Sequence, residues 1–80
     1  MQEIEKNNPK RKLLISLVNA ISEEIQMREE DKILIILQMN TEEKIEKFFD
    51  WIESKMENEK LKTTTTEVMN ITARIGRLRA

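Results

Sequence analysis

Glu42, Glu46 and Asp50 follow one another at four-residue steps, so a helix through them carries three carboxylates along one face. Rows of this kind hold paired metal ions in carboxylate bundles, where Glu-x-x-His pairs complete the ligand set. The 80 residues contain no histidine to do so, and the row reads as a solvated face. Nucleophilic catalysis is equally poorly served. There is no Cys or Tyr, and Ser16, Ser22 and Ser54 are the only serines, none with a base partner at recognisable spacing. The single glycine, Gly76, excludes a glycine-rich phosphate loop. No catalytic residue, metal ligand or cofactor is expected, and the chain does not read as an enzyme.

Charge placement carries more information. Residues 6–12 hold Lys6, Lys10, Arg11 and Lys12 without an acid, and residues 68–80 hold Arg74, Arg77 and Arg79 without one. Between them, residues 22–59 carry twelve acids against five bases. The net charge of −1 is therefore a cancellation between basic ends and an acidic middle. Arg74, Arg77 and Arg79 near a helix C-terminus are explained by the macrodipole alone. Lys10, Arg11 and Lys12 are different, because cations in a first turn cost a few tenths to about 1 kcal/mol. They are candidates for an anionic surface, either another molecule's phosphates or the chain's own acidic face. Asn70, Arg74 and Arg77 share one side of a C-terminal helix and join them as candidate nucleic-acid contacts.

The segment Thr65-Thr66-Glu67-Val68-Met69-Asn70-Ile71-Thr72 resembles the first helix of many helix-turn-helix regulators. A recognition helix should follow such a helix after a short turn. Only Arg77, Leu78, Arg79 and Ala80 remain after Gly76, and a domain-wide basic footprint is missing. Nucleic-acid binding is accordingly the alternative reading and not the leading one.

The elements follow from a few punctuating residues. Asn8-Pro9 forms an N-cap with proline at the first helical position, opening a helix over about residues 9–27. Leu14, Val18, Ile21 and Ile25 recur along it, with Leu13, Leu17 and Ala20 alongside. That apolar face is broad enough to demand two neighbours. Arg28-Glu29-Glu30-Asp31 opens a second segment, with acids suited to a helix N-terminus. Its core, Ile33 to Met39, is apolar all round as a helix. The same run fits a buried strand paired across a dimer, and periodicity does not separate the two. With no second strand in the chain, the helix is favoured.

Asn40-Thr41-Glu42-Glu43 starts a third helix over about residues 41–59, with Asn40 and Glu43 at capping-box spacing. Ile45, Phe48, Phe49, Ile52 and Met56 make its stripe. Asn58 to Thr63 is a polar connection. Thr64 and Glu67 again fit a capping box and begin a fourth helix, striped by Val68, Ile71, Ile75 and Leu78. The expected fold is all-α: a single helical domain over 1–80, a small four-helix bundle with residues 1–8 as a flexible polar arm.

Association follows from the second segment. Three other helices in so short a chain hardly enclose it, so Ile33, Ile35, Ile36 and Met39 are expected against another copy or another protein. Trp51, on the flank of the third stripe, is a further candidate for that interface, tryptophan being enriched at binding hot spots. At helical spacing Met27, Met39, Met56 and Met69 read first as core filler. Leu, Ile, Val and Phe number 22 of 80, enough for a core. A domain this size retains only about 4–12 kcal/mol of stability, which association would raise. The longest apolar run, Ile33–Leu37, is far short of the roughly twenty residues that span a bilayer. The amino terminus does not read as a signal peptide. Ile, Lys, Asn and Glu make 39 of 80 residues, the bias of AT-rich coding in bacteria and phages. The sequence thus reads as a cytoplasmic, homodimeric interaction protein without a cofactor.

Overall fold

The computed structural model describes residue 5 and residues 7–78. Four helices account for most of them: α1 (Pro9–Ile25), α2 (Glu29–Gln38), α3 (Glu42–Ser54) and α4 (Thr65–Gly76). Strands β1 (Met56–Glu57) and β2 (Lys60–Leu61) form a small antiparallel hairpin between α3 and α4, with Met56 opposite Leu61 and Glu57 opposite Lys60. The all-α expectation holds, and the ambiguous segment Ile33–Met39 is helical up to Gln38. Most of the expected flexible arm, residues 1–8, lies outside the described residues. Asn8 itself is engaged.

The helix starts are local chemistry. The Asn8 side chain accepts the Lys10 backbone N–H at 2.8 Å, with Pro9 at the first helical position. The Thr64 hydroxyl accepts the Glu67 N–H at 3.2 Å and donates to the Glu67 carboxylate at 3.3 Å, closing the expected pair. At α3 the cap is Thr41, whose hydroxyl accepts the Lys44 N–H at 3.2 Å. This displaces the expected Asn40–Glu43 box by one residue. The Asn40 side-chain oxygen instead accepts the Lys44 ammonium at 3.2 Å.

Two helix ends differ from expectation. Helix α1 stops at Ile25 and not at 27, because Gln26 turns left-handed (φ 57°, ψ 52°). The Met27 N–H then reaches back to the Ser22 carbonyl at 3.0 Å, and the Ser22 hydroxyl donates to the Met27 carbonyl at 3.2 Å. This is a Schellman-type end with glutamine where glycine is preferred. Helix α3 stops at Ser54, five residues early. Asn58 and Glu59 both take positive φ (52° and 64°), the pair of left-handed residues that a tight hairpin turn demands. The usual Asn-Gly signal is absent, so the hairpin was not legible as one.

Helix α1 lies against α2 and α3, and α4 lies against the same two. Directions follow from the cross-links. The Asn8 amide donates to Glu42 at 3.1 Å, Lys10 pairs with Glu46, and the Leu61 N–H donates to Glu24 at 3.4 Å, so α1 and α3 run parallel. Lys55 meets Glu67 at 3.5 Å and the Lys44 ammonium donates to the Gly76 carbonyl at 3.1 Å, so α4 runs antiparallel to α3. Round the bundle the order is α1, α2, α4, α3, and the short connector from Met39 to Thr41, buried at both ends, crosses from α2 to α3.

Phe48 is the largest fully buried side chain, surrounded in the core by residues including Leu14, Val18, Ile35, Met39, Ile45 and Val68. The two neighbours expected for α1 are present. Leu13 and Ala20, however, are exposed, and Leu17 and Ile25 are only partly covered.

Left-handed Gln26 carries a steric cost that glycine lacks. Gln26→Gly should raise stability by about 0.5–1 kcal/mol after the entropy of the unfolded glycine is subtracted. Urea denaturation should show a higher midpoint with an unchanged slope; a lower midpoint would count against the left-handed cap.

Candidate interaction surfaces

The structure divides the expected interface residues between inside and outside. Ile35 and Met39 are fully buried in the chain's own core. Their expected place at a partner surface is corrected: α2 packs between α1 and α4, and this pair points inward. Ile36 is half-buried against the same core. Ile33 (50% exposed) remains outside, with Leu34 (46%) and Leu37 (65%), which the sequence did not single out. At 100° per residue these three fall within roughly a 100° arc on the outer side of α2. An all-round apolar helix carries no periodic signal, so spacing gave no sign of which half would face out.

A second apolar surface is a shallow groove of about 320 Å³ between α1 and α3, lined by Leu13, Leu17, Phe49 and Ile52. Leu13 is 60% exposed there. It sits at the edge of the α1 face, where α3 covers it only in part.

Trp51 is half-buried and belongs to neither surface. It lies in a cleft of about 190 Å³ between α3 and α4, with Lys55, Glu67, Asn70, Ile71 and Arg74. The Lys55 ammonium stands 5.5 Å from the centroid of the Trp51 ring while pairing with Glu67. The cleft thus joins one expected interface residue with two expected anion contacts, Asn70 and Arg74. Arg77 is exposed just past α4, its backbone N–H donating to the Arg74 carbonyl at 3.3 Å.

The basic N-terminal cluster separates in the same way. The Lys10 ammonium is held by the Glu46 carboxylate, with Glu42 nearby, so this cation meets the chain's own acidic face. Arg11 is partly covered, whereas Lys12 is exposed. Among the described residues, no three acidic side chains converge to hold a metal ion. Glu42 and Glu46 are instead occupied by Asn8 and Lys10, and Asp50, the third of the row, is exposed. Among the described residues, no helix is long and apolar enough to cross a membrane.

The hydrogen bond to Glu46 raises the Lys10 pKa above its ordinary value, against an opposing desolvation and with lesser support from the charges of Glu46 and Glu42. A raised folded-state pKa stabilises the fold below the unfolded value, near 10.4. That stabilisation is lost as pH rises through the folded value. Glu46→Gln should therefore move the Lys10 titration downward, read by NMR at its side-chain carbon, and flatten this alkaline loss. An unmoved Lys10 titration would mean the ion pair does not persist in solution. Set beside known proteins, the chain matches no protein family, no curated protein and no solved structure.

Proposed function

We propose that the chain is a non-enzymatic protein-interaction module, an adaptor, inhibitor or accessory regulator working as a homodimer in the cytoplasm of a bacterial or phage-infected cell. The observation that carries this reading is the outer face of α2. Ile33, Leu34 and Leu37 are each about half or more exposed on one side of a helix whose other side is already committed to the core. Single exposed leucines are ordinary, but three adjacent large apolar side chains on consecutive turns mark a surface that another protein would cover. The inventory of side chains supports the non-enzymatic half, since neither a nucleophile–base pair nor a nucleotide loop is present in the sequence.

A second reading, contact with nucleic-acid phosphates, is favoured by Asn70 and Arg74 bordering the Trp51 cleft, with Arg77 close behind. It loses Lys10 to Glu46, and the cleft's other cation, Lys55, is paired with Glu67. Retention on DNA at low salt that weakens as salt rises would support it.

The leading reading is tested with Leu37→Glu, whose side chain lies outside the core. Crosslinked capture from extract of the native host should recover a partner with the wild type and lose it with the variant, while circular dichroism stays unchanged. Identical recovery by both proteins would overturn the role of the α2 face.

A further inference from the structure

Helix α1 is charged the wrong way round. A helix favours acids in its first turn and bases in its last, and α2, α3 and α4 all begin with acids. Helix α1 has no acid in its first turn and no base in its last. It starts with Lys10, Arg11 and Lys12 and finishes with Glu23 and Glu24. Among the described residues, only the groove-side members of these ends are answered, Lys10 by Glu46 and Glu24 by the Leu61 N–H. Lys12 and Glu23 are exposed, and neither makes an ion pair with another described residue.

Between the two charged ends runs the uncovered side of α1. At 100° per residue, Leu13, Ser16, Leu17 and Ala20 fall within an arc of roughly 100°, and Lys12 and Glu23 border its outer edge about 16 Å apart along the axis. Leu13 is 60% exposed, Ser16 and Ala20 are exposed, and Leu13 and Leu17 form one wall of the groove against Phe49 and Ile52. This is an apolar strip with a basic end and an acidic end. Two such strips laid antiparallel bring the basic end of each onto the acidic end of the other.

We infer that α1 is the homodimer interface, pairing antiparallel with α1 of a second copy across a two-fold axis at the level of Leu17 and Val18. This deepens, and rests on, the reading of the chain as a self-associating module. The contact is isologous, so one complementary pair, Lys12 with Glu23 of the other copy, is made twice. The pairing resolves both breaches of the dipole rule at once and covers Leu13. Ser16 and Ala20, being small, let the helices approach closely. The second copy's α2 strip is a poorer occupant for the groove. Glu30 flanks that strip and Glu42 and Glu53 flank the groove, none of them ion-paired to a described residue, so like charges would meet. The dimer thus leaves the α2 face free for a different protein.

Light scattering and sedimentation equilibrium across a dilution series test the inference, with circular dichroism confirming the fold of each variant. The wild type should dimerise, more weakly as salt rises. Lys12→Glu and Glu23→Lys should each raise the dissociation constant about fivefold to tenfold, since each change acts at both symmetric pairs. The doubly substituted protein, Lys12→Glu with Glu23→Lys, should return to near the wild-type constant. Leu13→Glu should abolish the dimer. A wild type that stays monomeric at every concentration overturns self-association altogether. A dimer that is lost in Leu37→Glu but indifferent to Lys12→Glu, or not rescued by the double reversal, overturns the α1 interface while leaving self-association standing.

Discussion

One buried lysine holds the crossing end of this bundle together. Lys44 enters α3 just after the connector from α2, and its ammonium donates both to Asn40 and to the Gly76 carbonyl at the end of α4. A helix C-terminus leaves carbonyls without intrahelical partners and carries negative partial charge. A cation placed there satisfies the helix and its own burial together. Beside this contact α4 also approaches α2 closely. A Cβ on Gly76 would stand 3.3 Å from the Gln38 Cβ, tighter than most such contacts, which suits the chain's sole glycine to this end of α4. With α4 seated, Val68 and Ile75 reach the core beside Phe48 and Ile35. The inward turn of Ile35, and hence the outward turn of Leu34 and Leu37, depends on that seating.

Charge then divides the molecule by element. Acids at the starts of α2, α3 and α4 obey the helix dipole and stabilise their own helices. The acidic flank of α3 does a second job, because Glu42 and Glu46 take Asn8 and Lys10 and lock the start of α1 alongside it. Helix α1 alone departs from the dipole rule at both ends, and it alone carries an exposed apolar strip between opposite charges. At Lys12 and Glu23 the rule is broken without an ion pair to any described residue, and the compensation is sought in a partner.

Small size explains why apolar surface is left over. Four short helices cover one layer of side chains around Phe48, and a helix that is apolar on every side receives cover on only one of them. The result is two separate exposed surfaces, one on α2 and one between α1 and α3. They face different neighbours because α1 stands between α2 and α3 in the bundle.

The sequence by itself determined what acts within one turn of the chain. Asn8-Pro9 and Thr64 with Glu67 mark helix starts because a cap needs only neighbouring residues, and the stripe of α3 was visible because Ile45, Phe48 and Ile52 keep helical period. The lack of histidine, cysteine and tyrosine was equally plain. Tertiary structure decided the rest. The Asn58-Glu59 turn depends on backbone angles that neither residue prefers strongly enough to announce. Lys10 finds Glu46 across 36 residues, a pairing that only the parallel placement of α1 and α3 creates. Above all, the division of Ile33–Met39 into core and surface had no periodic trace, since a helix apolar on all sides is oriented only by the neighbours packed against it.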